Sequence, residues 1–123
     1  MKIYLTAYNE LFIIDSEQLL YLEADDHYTI VNYTSGAKFM VPFGLSRVEA
    51  AISDAFSAET ERNPKAQSRY IIRVGRKFML NMNRIFHIST MKQVVVLVDE
   101  HGENHSLHLP KPILRTLIDT LSP

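Results

Sequence analysis

The chain has 123 residues, 46% of them hydrophobic and 22% charged, with no cysteine. That is enough for one domain with a real core, and it excludes disulfides, a thiolate zinc site and a thiol nucleophile. The net charge of −1 hides a segregation: from Arg62 to Val98 there are eight Lys/Arg and no Asp or Glu, so all 14 carboxylates lie elsewhere.

A basic stretch of this kind is the footprint of a protein that meets an anionic polymer on one side. It is equally the pattern of a solvated basic face. No uncharged apolar run approaches the roughly 20 residues a membrane-spanning helix needs. Residues 1–14 contain Lys2 and Glu10 and end in no small-residue cleavage site, so they do not read as a signal peptide. Absence of cysteine fits a cytoplasmic protein.

Mostly β structure is expected. Residues 1–10 read as an extension ahead of a domain over 11–123. Leu11–Asp15 is a short strand ending in the polar turn Asp15-Ser16-Glu17, and Gln18–Ala24 is the next. His27–Thr34 is rich in β-branched and aromatic residues and ends at Ser35-Gly36, so a hairpin with the following "AKFMVPF" is expected, closed by Pro42. In "GLSRVEAAISDAF" the apolar Leu45, Val48, Ile52 and Phe56 recur at helical spacing. Ser46 and Glu49 have the spacing of a capping box. Ser57–Ser68 is polar and reads as a loop.

Arg69–Val74 is a strand. "FMLNMNRIFHI" suggests a short helical turn around Leu80–Arg84 and then a strand. "QVVVLVDEHGENHSLHL" is a hairpin with its tip at Asp99–Asn104, and Leu107 and Leu109 share a face of its second strand. A short amphipathic helix begun at Pro112 ends the chain.

Two clusters invite chemistry. "EADDHY", Glu23–Tyr28, gathers three carboxylates and a histidine, as a metal site or an acid/base pair would. A polar loop between strands explains it more simply. His101, His105 and His108 are close in sequence, but on a strand His105 and His108 point to opposite faces. No nucleophile elbow, phosphate loop, dinucleotide fingerprint or zinc-protease motif is present. An enzyme is not expected, and neither is a cofactor.

The stretch "RVGRKFMLNMNRI" sets Arg73, Arg76, Lys77 and Arg84 among apolar residues with no carboxylate. With "LLYLEADDHYTIVNYTSG" before the helix, and a hairpin and "LPKPIL" after it, this order resembles the LytTR family of bacterial DNA-binding domains over about residues 11–119. Tyr21, Glu23 and Ala24 match the family's Y-x-E-A strand end. Arg73, Val74, Arg76, Phe78, Met79, Leu80, Asn81 and Ile85 match its central element.

The resemblance implies a mainly β, elongated fold of small antiparallel sheets with a short flanking helix. Members insert loops into successive grooves of duplex DNA. Carried over, the turn Asp26–Thr29, with His27, Tyr28 and Thr29, would be one contact. Gly75–Lys77 would be the second, with Arg76 as a base contact or phosphate clamp. Lys111 would be the third. Arg73 either joins them or is a surface cation paired with a carboxylate, and Asn81 is expected to bond neighbouring backbone. The family's histidine is Gly75 here, its serine is Lys77, and Pro110-Lys111 replaces its serine-arginine pair. The function implied is a transcription regulator binding double-stranded DNA, as a homodimer on repeated half-sites, with a separately encoded sensor or regulator protein as a further partner and no membrane partner. The alternative is a protein-interaction module of the same fold without sequence-specific DNA binding.

Overall fold

The computed structural model of the chain describes residues 1–65 and 69–123. Strand β1 (Lys2–Ala7) pairs antiparallel with β2 (Glu10–Asp15) as a two-stranded sheet. The ten residues expected as an extension thus supply a strand, and its Ile3 and Leu5 are buried.

The central sheet has five antiparallel strands: β3 (Leu19–Asp25), β4 (Tyr28–Tyr33), β5 (Lys38–Val41), β6 (Ile71–Val74) and β7 (Phe78–Asn81), in the spatial order β5-β4-β3-β7-β6. A third sheet is formed by β8 (Ile85–Ser89), β9 (Val94–Val98) and β10 (Asn104–His108), with β9 in the middle. Helix α1 (Leu45–Arg62) links β5 to β6, and α2 (Lys111–Leu121) ends the chain. The mainly β class and the small antiparallel sheets are as expected.

Two cores lie on opposite faces of the central sheet. One joins Ile3, Leu5 and Ile14 of the hairpin to Val48, Ile52 and Phe56 of α1 and to Leu22, Val31 and Met79 of the sheet. The other joins Leu20, Tyr21, Phe78 and Leu80 to Val95 and Leu97 of β9 and to Leu114 and Leu117 of α2. A register shift between Leu19 and Tyr21 breaks the alternation, so Leu20 and Tyr21 both face the second core while Leu19 and Leu22 face the first. Each fully buried leucine contributes about 1.5–3 kcal/mol.

Three expectations need correction. The helix does not end at Phe56 but runs to Arg62, closed by the Arg62–Glu59 ion pair at 2.7 Å. Residues 57–62 are apolar-poor because this end of α1 has left the core, not because it is a loop. The remainder of that expected loop reaches residues 66–68, outside the described residues. Ser46 and Glu49 form no capping box: Gly44 is the N-cap and no side chain caps the helix. Finally, Leu80 and Asn81 belong to β7, and only Met82–Arg84 form a 3-10 turn before β8.

Candidate nucleic-acid interface

A three-residue turn, Gly75-Arg76-Lys77, joins β6 to β7. Gly75 takes φ 68, a left-handed conformation that side chains resist. The turn is held from inside. Arg73 Nε donates to Gly75 O at 3.1 Å and Nη2 to Arg76 O at 2.7 Å. The backbone N–H of Ala24 donates to Lys77 O at 2.7 Å. The remaining Arg73 nitrogen, Nη1, meets Glu49 Oε1 at 3.1 Å and Ser46 Oγ at 3.4 Å. Arg73 is therefore the carboxylate-paired cation of the two readings offered for it, with its donors turned inward and its side chain 21% exposed.

Arg76 is exposed and makes no ion pair or side-chain hydrogen bond among the described residues. Lys77 lies 3.2 Å from Glu23 and over the Phe78 ring. Its charge is therefore partly answered within the protein.

The link between β3 and β4 is the two-residue turn Asp26-His27, with Asp26 at φ 57. His27 is exposed, 3.6 Å from Asp26. Tyr28 is half exposed. Thr29 is not available as a contact: it is buried, and its hydroxyl donates to Phe43 O at 2.8 Å. The pairing of Glu23 with Phe78 puts the 26–27 and 75–77 turns at the same end of the sheet.

Lys111 opens α2 and is exposed. Two residues on, Ile113 Cδ1 would lie 2.9 Å from a Cβ on Gly75, so the start of α2 abuts the 75–77 turn. Arg47 was not foreseen. It lies in the first turn of α1, beside Ser46, exposed over the Phe43 ring at 5.7 Å. Nothing in the sequence marks it; only the fold brings it to this end.

The other sequence candidates do structural work. Asn81 is buried, donates to Leu19 O at 2.8 Å and accepts from Asn83 N–H at 2.9 Å. Among the described residues no group of three or more His, Asp or Glu side chains is arranged to hold a metal ion. Glu23 is spent on Lys77 instead. Burial raises the Tyr21 hydroxyl pKa above its ordinary value, with the Glu23 charge adding to it.

One turn and two helix starts, far apart in sequence, thus present Arg76, Lys111 and Arg47 at one end of a β framework. A solved structure shares that framework: the LytTr DNA-binding domain of a Bacillus cereus protein superposes with a TM-score of 0.58 over 99% of this chain and 97% of its own, at 20% identity. The chain has the LytTr fold. No family model and no curated protein matches the sequence. The expected second contact region is a basic turn held by internal hydrogen bonds, and the expected first and third lie at the same end of the sheet. No helix is long and apolar enough to cross a membrane among the described residues.

Proposed function

We propose that this chain is a duplex-DNA-binding domain of a cytoplasmic transcription regulator, not an enzyme. In this reading the turn at 26–28, the turn at 75–77 and the start of α2 approach successive grooves. Arg76 is the base contact or phosphate clamp, with Lys111 supplying a point charge and Lys77, His27 and Tyr28 flanking them. Arg73 and Thr29 hold backbone. One observation carries the reading: an arginine unpaired among the described residues stands on a turn whose carbonyls are all satisfied from inside, so it meets a phosphate or base edge with little ordering cost. The likeness to a LytTr DNA-binding domain supports it. A homodimer on repeated half-sites and a separately encoded sensor partner belong to the same proposal.

Fluorescence anisotropy on labelled duplexes tests it, with the chain's own upstream region against a scrambled sequence at two salt concentrations. Binding should prefer one duplex and weaken with salt. Arg76→Ala and Lys111→Ala should each lower affinity and reduce the log–log salt slope by about 0.9 if the residue meets a phosphate. Equal, weak binding to both duplexes, untouched by either substitution, would reject the proposal.

A second reading has one observation in its favour. On the outer face of the β1–β2 sheet Tyr4, Leu11 and Ile13 are each more than half exposed, and Tyr8 is fully exposed at its turn. Apolar surface of this kind marks interaction sites. A protein-interaction module would use that face and be indifferent to Arg76→Ala.

A further inference from the structure

We infer that Glu49 and Arg73 are positioning residues for Arg76: helix α1 sets the shape of the basic turn through one guanidinium, without either residue touching DNA. The inference rests on the DNA-binding reading above.

A guanidinium has five N–H donors in a fixed planar fork. Every nitrogen of Arg73 is engaged: Nε with Gly75 O, Nη2 with Arg76 O, and Nη1 with Glu49 and Ser46. Four of the five N–H donors are used, which leaves one Nη2 hydrogen and no free pair for a two-pronged grip on a phosphate. With Lys77 O taken by Ala24, all three carbonyls of the turn are drawn inward, and the Arg76 side chain is left facing out. A mostly covered cation needs a countercharge. Glu49 supplies it, and also lies 3.8 Å from Arg69. The geometry is specific to arginine. A lysine keeps the charge but cannot bond two carbonyls and a carboxylate in one plane.

The sign of one substitution separates this role from simple electrostatics. Glu49→Gln removes a negative charge beside a DNA-facing surface. Coulomb attraction alone then predicts tighter DNA binding. A positioning role predicts weaker binding, because the guanidinium loses its anchor and the turn its shape.

The test uses the full chain. Duplex affinity is measured for wild type, Glu49→Gln, Arg73→Lys and Glu59→Gln, the last a charge control farther along α1. Glu49→Gln is also measured on an Arg76→Ala background. The {1H}–15N NOE of the Gly75, Arg76 and Lys77 amides is recorded without DNA. Glu49→Gln and Arg73→Lys should each bind about tenfold more weakly while Glu59→Gln does not, and Glu49→Gln should cost nothing further once Arg76 is gone. The NOE of the three turn amides should fall in both variants. Glu49→Gln binding as tightly as wild type or tighter, or losses additive with Arg76→Ala, would overturn the inference. If the wild type binds no duplex at all, the DNA-binding reading fails. The NOE then decides the brace alone: a fall supports it, and an unchanged value overturns it.

Discussion

The Oδ2 of Asp99 lies 2.9 Å from the Nε2 of His105, across the tip of the β9–β10 hairpin. The other carboxylate oxygen accepts the N–H groups of His101 and Glu103 at 2.9 and 3.0 Å. The His105 hydrogen bond, helped by those two N–H groups and working against burial, holds the Asp99 carboxyl at about 2. Its folded value lies below the ordinary 3.8. The ionised carboxylate therefore contributes stability above about pH 4, and that contribution is lost as pH falls toward 2. Urea unfolding followed by circular dichroism should show stability dropping through this window, with a shallower drop for Asp99→Asn. Equal slopes for both proteins would remove Asp99 from the account of acid sensitivity.

Gly75→Ala should destabilise the chain by about 1–2 kcal/mol, the cost of a left-handed conformation for a residue with a Cβ. The added carbon would meet only Ile113 Cδ1, the far end of a flexible side chain that can rotate away. Backbone conformation, not crowding, then dominates. Gly75→Asn, with a side chain that tolerates this region, should lose less in a thermal melt. Equal losses for the two substitutions would shift the constraint to packing against α2.

Thr29→Val keeps the shape of the side chain and deletes its hydroxyl. The Phe43 carbonyl loses its buried donor, at a cost of about 1–3 kcal/mol. At temperatures where both proteins are folded, duplex affinity and salt slope should not change. A reduced salt slope for Thr29→Val would return Thr29 to the contact surface.

The strands were legible where composition and turns agreed. "HYTIVNYT" followed by Ser35-Gly36 gives β4 and its hairpin, and "VVVLV" gives β9, because β-branched runs bounded by polar turns leave few alternatives. "KIYLTA" alternates correctly too, with Ile3 and Leu5 inward. The family resemblance begins only at residue 11, and so leaves this strand out. Thr29 was harder to place, because Tyr28 and Ile30 on the other face are as apolar as Val31. Period-two alternation does not say which face is core when both are hydrophobic.

The Ser46–Glu49 spacing is a case of local ambiguity. The same two residues that fit a capping box receive a guanidinium 24 to 27 positions away. No short pattern records such a pairing. Arg76 could be singled out from the sequence because its turn is local. Arg47 could not, since its relation to Arg76 exists only through the register of five strands.

Met79 and Leu80 are neighbours in β7, yet each sits at 0% exposure in a different core. The central sheet is therefore a party wall between two rooms. Emptying either room would put the apolar side of the wall in water. Melting should then be a joint event, with damage to β3 or β7 felt on both sides at once.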